Sequence, residues 1–442
     1  MSAHTPTDER EIHNFGQLER YMLARTRQPG EELIGTEYEK IGWYKSDFSA
    51  PAYEGERGIR ALLEAFAREG WTPLYEGESI IALSRAGATI TLEPGGQLEL
   101  SGAPLPNLAA MSAELDAYLH ALREHSAPFE LAWSGIGLNP RPADALPQMP
   151  KARYQIMRRY LPTRGAAALT MMHCTGTVQA NFDFHNEADA MRKLRASLWI
   201  QPIVSAIFAS SPVRNLREVG ASGHRCEIWL DTDPDRCRYP LALLEADQPL
   251  RTYIDWALSV PLFFIAREGI YLDCAGVPFR RFLEEGWRGH RATVGDFALH
   301  LSTLFPPARL KQQLEVRGAD MGPIAYAKAL PALHAGLLYD PKSLEMLLDR
   351  FNAEDPSQLP ALERLIPSEG LNAHFAGAPI SEWARWLLKL ARDGLSRREP
   401  SAARLLDPLD VALDQDAIPA EALRAAWHQG GLPGLLRASR IA

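Results

Sequence analysis

Residues 177–184, with the sequence TVQANFDF, alternate between polar and apolar side chains. Thr177, Gln179, Asn181 and Asp183 fall on one face of a strand, and apolar side chains fall on the other. A strand with one buried and one polar face is typical of an antiparallel sheet that has helices packed behind it. The stretch therefore predicts an α+β fold.

Two further segments are predicted as strands with a polar face. HRCEIWLDTD, residues 224–233, places Arg225 among its polar side chains, and QLEVRGAD, residues 313–320, places Glu315 and Arg317 on one face. Together with residues 177–184, these segments predict a sheet whose polar face carries charged groups.

Helices are predicted around this sheet. Asn186 is a helix N-cap followed by acidic residues, Pro202 is expected to kink or restart that helix, and Gly394 is expected to end a later one. Apolar spacing predicts further helices over residues 12–26, 58–70, 107–126 and 381–392.

The chain divides into three predicted parts. Residues 1–32 are predicted to be an N-terminal helical extension, residues 33–378 a catalytic body, and residues 379–442 a C-terminal helical tail packed on the same domain. No internal repeat or low-complexity segment interrupts this division.

Composition narrows the class of protein. The 442 residues include 47 Lys and Arg against 55 Asp and Glu, a net charge of −8, which argues against nucleic acid or an anionic membrane as the main partner. The N-terminus has acidic residues where a signal peptide is apolar, and the apolar segment 253–266 is too short to span a bilayer. Four cysteines in so long a chain predict no disulfide framework, and none of them is in a CxxC pair, so a zinc site is not expected either. We expect a cytoplasmic protein.

Several glutamates lie in segments whose sequence pattern is typical of strands. The stretch ITLEPGGQLELSGAP, residues 90–104, places two of them around a Pro-Gly-Gly turn that has no lysine. Each pair alone is more typical of a solvated strand face, but the accumulation favours Mg²⁺ bound to nucleotide phosphates, because Mg²⁺ prefers oxygen ligands. The five candidate metal ligands are Glu37, Glu39, Glu93, Glu99 and Glu315. Arginine side chains that suit phosphate or carboxylate oxygens are Arg225, Arg236 and Arg317.

Other catalytic motifs are absent from the sequence. There is no GxxxxGK[ST], HExxH or GxSxG motif, and GIG at residues 135–137 is more typical of a tight turn than of a dinucleotide site. His173 and Cys174 are adjacent, but a buried structural pair is favoured over a nucleophile and base because no third partner is evident.

Eight motifs, in one order from about residue 33 to about residue 395, resemble plant-type glutamate–cysteine ligase, a type that also occurs in many proteobacteria. They are GTEYEKIGW, LEPGGQLELSGAP, MPKARYQIM, TVQANFDF followed by EADAMRKLRA, WIQPI, IWLDTDPDR, YLDCAGVPFRRFL and LEVRGAD. The resemblance implies a glutamine synthetase-like fold with a curved, mainly antiparallel sheet, an active site on its concave face and helices outside. It also implies ATP-dependent joining of the L-glutamate γ-carboxylate to the amino group of L-cysteine through γ-glutamyl phosphate.

The resemblance assigns roles to individual residues. The five glutamates match the family's metal ligands. The expected catalytic residues are Arg153, Arg225 and Arg317. The expected substrate-binding residues are Thr177, Gln179, Arg153, Arg225, Trp229, Arg236 and Phe263. The expected nucleotide-binding residues are Lys40, Gln97 and Arg317.

Three departures from the family pattern limit these assignments. Phe263 stands where relatives have tyrosine, which leaves recognition of the acceptor open. His173-Cys174 and Gly176 depart from the plant pattern, and Cys274 has no evident partner, so the plant redox switch is not expected here.

Mg²⁺ is the expected cofactor, and ATP, L-glutamate and L-cysteine are the expected substrates of a monomer or homodimer with no nucleic-acid or membrane partner. The closest alternative is a γ-glutamyl ligase of the same fold with another acceptor amine. A non-catalytic regulatory subunit is disfavoured because all five glutamates are present. A two-carboxylate glycosidase is disfavoured by the excess of acids and the paired arginines, and it would work without ATP.

Overall fold

The computed structural model describes residues 8–415 and 417–442. The first seven residues of the predicted N-terminal extension, and Asp416 in the predicted C-terminal tail, lie outside the described residues. The helix predicted over residues 12–26 is shorter than expected, because a capping box between Asn14 and Gln17 starts it at Phe15 and it ends at Met22.

The described part of the chain forms one large sheet and three short hairpins. The strands are β1 (Ile34–Tyr44), β2 (Thr72–Glu76), β3 (Ser79–Arg85), β4 (Ala88–Leu92), β5 (Leu98–Ser101), β6 (Leu131–Ser134), β7 (Thr177–Phe182), β8 (Val213–Arg214), β9 (Arg217–Glu218), β10 (Phe264–Arg267), β11 (Ile270–Asp273), β12 (Ala308–Leu310), β13 (Leu314–Asp320), β14 (His374–Phe375) and β15 (Ala378–Pro379). The large sheet has the order β12-β13-β7-β1-β5-β4-β3-β2, and β6 also pairs with β1.

Helices occupy most of the remaining chain. They are α1 (Phe15–Met22), α2 (Ile59–Arg68), α3 (Leu108–Ser126), α4 (Ala152–Tyr160), α5 (Ala168–Cys174), α6 (Glu187–Ile207), α7 (His224–Leu230), α8 (Pro234–Cys237), α9 (Leu250–Ser259), α10 (Phe279–Glu285), α11 (Val294–Ser302), α12 (Ile324–Leu338), α13 (Pro341–Phe351), α14 (Leu359–Glu369), α15 (Ile380–Arg398), α16 (Asp407–Gln415) and α17 (Pro419–Ala438). None of the described helices is long and apolar enough to cross a membrane.

The centre of the sheet is antiparallel on both sides of β7. Its Gln179 pairs with Glu37 of β1, and its Asn181 pairs with Glu315 of β13. On the other side of β1, Glu39 pairs with Glu99 of β5. Directly paired residues point to the same face of a sheet, so this register places the polar side chains of four strands on one surface, called the polar face below.

The opposite face of the sheet belongs to the hydrophobic core. Tyr38, Val178 and Phe182 are fully buried there, and the helices α3 and α12 pack against β1 and β7. The alternation of residues 177–184 therefore correctly predicted a strand with one buried face and its antiparallel pairing in the sheet. The α+β class with a mainly antiparallel sheet is confirmed.

One predicted strand is wrong. Residues 224–230 form the helix α7, which presents Arg225 and Ile228, three residues apart, to the interior. A short stretch that mixes apolar and charged residues fits either periodicity, and here Arg225 N–H donates to Ser211 Oγ at 3.0 Å at the start of a helix.

Two predicted helix ends are not found. The helix α6 is not restarted at Pro202 but runs from Glu187 to Ile207, and the part around Pro202 is buried on all sides, so tertiary packing maintains it, whereas the alternative of a kink at Pro202 stays a prediction. The helix α15 continues past Gly394 to Arg398. A Cβ at Gly394 would lie 2.0 Å from the carbonyl oxygen of Gly336 in α12, so this glycine allows two helices to touch.

The last described residues return to the main sheet. Trp133 of β6 donates its N–H to the Ala442 carbonyl at 2.9 Å, and Ile441 N–H donates to the Trp133 carbonyl at 2.8 Å. All four cysteines are buried and free. The expectation of no disulfide framework therefore agrees with the structure, whereas the boundaries of the three predicted parts stay predictions.

Candidate active site

A cleft of about 450 Å³ opens on the polar face. Its floor includes Glu37, Ser101 and Asn181 from three adjacent strands, and Asn181 Nδ2 donates to Glu37 Oε1 at 3.3 Å. Basic side chains surround this floor, which suits a polyanionic ligand. They are Arg25, Arg27, Arg153, Arg309 and Lys311.

Three glutamates lie close together at the Pro-Gly-Gly turn. Glu39 and Glu99 face each other across β1 and β5, and Glu93 lies at the end of β4. Burial and the neighbouring carboxylates Glu93 and Glu99 raise the pKa of Glu39 well above its usual value. Burial and Glu99 likewise raise the pKa of Glu93. Carboxylates that disfavour one another's charge in this way are suited to a cation that would neutralise them.

This cluster fits a divalent cation in charge and chemistry. Glu93 Oε1 is buried and has no hydrogen-bond partner among the described residues, so one hard oxygen ligand is available. In residues 8–415 and 417–442, no three His, Cys, Asp or Glu side chains are already gathered around one metal position. Glu39, Glu93 and Glu99 would therefore share one ion only after changes of rotamer.

Glu315 has a different environment from the other four glutamates. Arg309 Nη2 donates to its Oε1 at 2.8 Å, Lys311 Nζ lies 2.5 Å from its Oε2, and Arg317 Nη1 also donates to it. Burial alone would raise the pKa of Glu315, but Arg309, Lys311 and Arg317 together hold it well below its usual value. Glu315 is thus already neutralised by protein cations in this structure.

Arg317 joins this carboxylate to the middle of the sheet. Its Nη1 also donates to Gln179 Oε1 at 2.6 Å, and its guanidinium lies 5.7 Å from the centre of the Phe305 ring. Arg317 and Gln179 are therefore brought together on the polar face as the sequence predicted. Thr177 borders the carboxylates through its backbone N–H, which donates to Glu39 Oε2 at 3.0 Å.

Arg225 reaches the sheet from α7. Its Nη1 and Nη2 donate to the carbonyls of Gly318 and Arg317 at 3.2 Å, where a bulge between Val316 and Ala319 interrupts the pairing of β13. Asp320 Oδ1 lies 3.8 Å from Arg225 Nη1. Bulges of this kind commonly re-aim groups at functional sites.

A small cavity adjoins Arg225. It is lined by Trp229 and Phe305, whose rings are 5.7 Å apart, and by the buried carboxylate-bearing residue Glu363 of α14. Burial raises the pKa of Glu363 to about 8. Trp229 is therefore placed beside Arg225, and its expected role in binding substrate stays a prediction.

Arg153 lies in the first turn of α4, buried beside the carboxylate cluster. The buried positive charge of Arg153 is stabilised there by Glu93, and Arg153 in turn stabilises the charged form of Glu93. Arg153 also lines the cleft. The structure thus places it between the glutamates and the open cleft.

Lys40 and Gln97 are not placed to bind a nucleotide. Lys40 pairs with Leu98, so its side chain lies on the core side of the sheet, where Nζ donates to the Tyr38 carbonyl at 2.5 Å and burial lowers its pKa to about 7. The Gln97 amide accepts from Gly95 N–H at 2.9 Å and donates to the Thr175 carbonyl at 2.9 Å. Side-chain alternation along β1 places Lys40 on the core side, because its neighbour Glu39 lies on the polar face.

Arg236 and Phe263 are core residues in this structure. Arg236 donates to Asp233 Oδ2 at 2.6 Å and to the carbonyls of Thr303 and Pro261, and its guanidinium stacks 3.8 Å from the centre of the Phe263 ring. Phe263 is only 1% exposed. Their assignment as direct substrate contacts is therefore corrected to support of the wall behind the cavity.

Several polar residues of the site were missed in the sequence. Arg309 lies in β12 and Lys311 in the turn that follows it, and pairing of β12 with β13 was the signal that would have placed them beside Glu315. The other residues missed are Ser101, Asn181, Ser211 and Asp320.

Comparisons with known proteins agree on one family. The chain matches the model of glutamate–cysteine ligase family 2 over residues 33–435. It is 38% identical over 437 residues to the chloroplastic glutamate–cysteine ligase of Arabidopsis thaliana, covering 97% of this chain and 83% of that protein. It is 36% identical over 432 residues to the chloroplastic glutamate–cysteine ligase B of Oryza sativa subsp. japonica, covering 96% of this chain and 86% of that protein.

Solved structures agree at the level of the fold. The glutamate–cysteine ligase of Francisella tularensis, solved in complex with AMP, has a TM-score of 0.59 and 13% identity, covering 92% of this chain and 87% of that chain. The bifunctional glutathione synthetase of Pasteurella multocida has a TM-score of 0.50 and 15% identity, covering 96% of this chain and 52% of that chain. The predicted glutamine synthetase-like ligase fold is therefore confirmed.

Proposed function

Because the chain belongs to glutamate–cysteine ligase family 2, we infer that it joins the γ-carboxylate of L-glutamate to the amino group of L-cysteine at the expense of ATP. The observation that carries this function to the polar face is a cluster of three mutually repelling carboxylates, those of the buried Glu93 and Glu99 and the half-buried Glu39, next to a cleft lined by arginines. Such an arrangement suits a nucleotide triphosphate with its divalent cation.

Glu39, Glu93 and Glu99 would hold Mg²⁺, together with Glu37 at the floor of the cleft. Mg²⁺ bound there supplies charge neutralisation for the triphosphate during phosphoryl transfer. Glu315 can join this set only after one of its protein cations leaves.

The arginines have separate tasks in the proposed reaction. Arg317, fixed by Glu315 and Gln179, stabilises negative charge on the transferring phosphoryl group. Arg153, beside Glu93, offsets charge as the glutamate γ-carboxylate attacks the γ-phosphate of ATP, which breaks its bond to the β–γ bridging oxygen, so that γ-glutamyl phosphate forms and ADP leaves. Arg225, held against the bulge of β13, orients a carboxylate of the substrate glutamate.

The amine of cysteine then attacks the acyl phosphate, and phosphate leaves. Trp229 and Phe305 line the apolar side of the cavity next to Arg225 and limit the access of water, which would otherwise hydrolyse the acyl phosphate. No side-chain nucleophile takes part in these steps.

A γ-glutamyl ligase with another acceptor is not favoured, because the named plant relatives are all glutamate–cysteine ligases over nearly the whole chain. Phe263 does not reopen this alternative, since it is buried behind Arg236.

The test is an acceptor panel with the purified protein. We expect ADP release only when Mg²⁺, glutamate and an acceptor amine are all present, with cysteine as the best acceptor and γ-glutamylcysteine as the product in mass spectrometry. Glu39→Gln should lower turnover by about 100-fold or more, whereas Glu369→Gln, at an exposed glutamate of α14, should not. Ligation without ATP, or a better acceptor than cysteine, would contradict the proposal.

A further inference from the structure

One wall of the cleft comes from the chain that precedes the sheet. Tyr21, near the end of α1, and Arg27 both line the cleft. The turn between β12 and β13 is joined to this wall, because Gln312 Nε2 donates to the Tyr21 carbonyl at 3.0 Å. Arg27 precedes residue 33, where the match to the family model begins, and it belongs to none of the motifs that assign roles to site residues. A role for this wall must therefore follow from its contacts.

The backbone of Arg27 is fixed to the chain that follows β7. Its N–H donates to the Phe184 carbonyl at 3.1 Å, and its carbonyl oxygen lies 3.0 Å from His185 Nδ1. Both partners follow closely on β7, which ends at Phe182 and pairs with β1 and β13. The position of Arg27 is therefore tied to a strand that carries the polar face.

The side chain of Arg27 is held by Asp183. Arg27 Nε lies 2.7 Å from Asp183 Oδ2, and the same oxygen accepts from Leu33 N–H at 2.8 Å. The Asp183 side chain is 14% exposed, whereas that of Arg27 is 40% exposed. The carboxylate thus restrains one edge of a planar guanidinium, and much of the Arg27 side chain remains accessible to a ligand in the cleft.

The strand register places Arg27 far from the transferring phosphoryl group. Gln179 pairs with Glu37 and accepts from Arg317, the arginine proposed to stabilise that group. Asp183 is four residues further along the same face, or about 13 Å in extended chain. A triphosphate chain is shorter than this distance. A nucleotide with its γ-phosphate at Gln179 therefore presents its base, rather than its phosphates, to Arg27.

This end of the cleft is suited to a nucleobase. Leu33, which precedes β1, and Leu299 of α11 line it together with Tyr21. The Tyr21 ring is fixed by an edge contact with the ring of Phe297 in α11, at 5.9 Å between the ring centres. Bases stack on aromatic rings and on planar guanidinium groups, and apolar side chains exclude water around them.

We propose that Arg27 stacks on the base of the bound nucleotide, so that the N-terminal segment completes the ATP site. This inference rests on the proposed ligase function. Asp183 holds the guanidinium through Nε, and Tyr21, Leu33 and Leu299 supply the apolar surroundings of the base. The phosphates and the metal lie further along the polar face, at its glutamates.

Binding of two matched probes tests this assignment. With Mg²⁺ present, Arg27→Gln should bind a non-hydrolysable ATP analogue about tenfold more weakly than the wild-type protein by calorimetry, because the stack on the base is lost. The same variant should bind inorganic tripolyphosphate with wild-type affinity, since that probe has no base. Arg27→Lys keeps the positive charge near Asp183 but loses the planar group, so it should recover little of the affinity for the ATP analogue.

Arg20→Gln is the matched control, because Arg20 is an exposed arginine of α1 that does not line the cleft. It should leave both affinities unchanged. Thermal unfolding checks that each variant is folded, and Arg27→Lys carries the test if Arg27→Gln does not fold. Unchanged affinity for the ATP analogue, or an equal loss of affinity for tripolyphosphate, overturns the contact with the base. A wild-type protein that binds no nucleotide would instead overturn the proposed function, so the two failures are distinguishable.

Discussion

At the scale of single residues, the site depends on side chains that hold the charged groups in position. Asp320 is the clearest example. Its Oδ2 accepts from Ser210 N–H at 2.9 Å and from Ser211 Oγ at 2.7 Å, and Ser211 Oγ in turn accepts from Arg225 N–H. Asp320 and Ser211 therefore fix the start of α7 and the direction of the Arg225 guanidinium.

We expect Asp320→Asn to raise KM for glutamate about tenfold, because one charge-assisted contact to Arg225 is lost. KM for ATP should stay close to that of the wild-type protein, since Arg309, Lys311 and Arg317 are untouched. Steady-state kinetics with each substrate varied in turn measure this difference. Asp320→Glu should recover part of the loss, and equal changes in both KM values would argue for a general structural effect.

At the scale of elements, the helices α12 and α15 cross in backbone contact. A Cβ at Gly336 would lie 2.2 Å from the Ala391 carbonyl oxygen, and one at Gly394 would lie 2.0 Å from the Gly336 carbonyl oxygen. Neither glycine is required by an unusual backbone conformation. Their role is to let two helices approach closely, which sequence patterns for helix ends do not reveal.

Gly394→Ala should therefore lower the free energy of unfolding by about 2 kcal/mol, because the added methyl group separates two packed helices. Gly220→Ala is the matched control, since nothing lies within 4 Å of a Cβ there and its φ is not positive. Denaturant unfolding of both variants measures the difference. A neutral effect at Gly394 would mean that α15 can shift without loss of packing.

The same elements show what the sequence can predict. Alternation gave β7 and its polar face, and apolar spacing gave α3, because these patterns follow from burial on one side. The α7 segment was assigned to a strand because its few residues fit two periods, and tertiary contacts decide between them. The assignments of metal ligands, catalytic arginines and substrate-binding residues followed from sequence motifs. The positions of Lys311, Ser211 and Asp320 beside the site are known only from tertiary contacts in the structure.

At the scale of the whole molecule, buried ionisable groups away from the sheet affect stability. Glu363 of α14 faces the cavity next to Arg225, and burial raises its pKa to about 8. An exposed glutamate in the unfolded chain has a pKa of about 4.3. Between these values the folded protein keeps a proton that the unfolded chain has released, so stability falls as pH rises.

We expect Glu363→Gln to remove this contribution. Below about pH 4 the wild-type protein and the variant should have similar stability, and from there to about pH 8 the wild-type protein should lose up to about 1.4 kcal/mol more per pH unit. Chemical unfolding at several pH values measures the slope. Glu369→Gln, at an exposed position on the same helix, should leave it unchanged, and an unchanged slope in Glu363→Gln would show that this carboxyl is ionised at neutral pH.

The position of β7 between β1 and β13 has a consequence for folding of the protein during its synthesis on the ribosome. β7 pairs with an early strand and with a strand near residue 320, so the centre of the sheet cannot close until that late strand has left the exit tunnel. Until then the apolar backs of β1 and β7 lack α12, which follows β13 in the chain. Long-range pairing of this kind slows folding and exposes apolar surface. The nascent chain should therefore depend on a chaperone that shields such surface late in synthesis, and Glu315 meets Arg309 and Arg317 among the last events of folding.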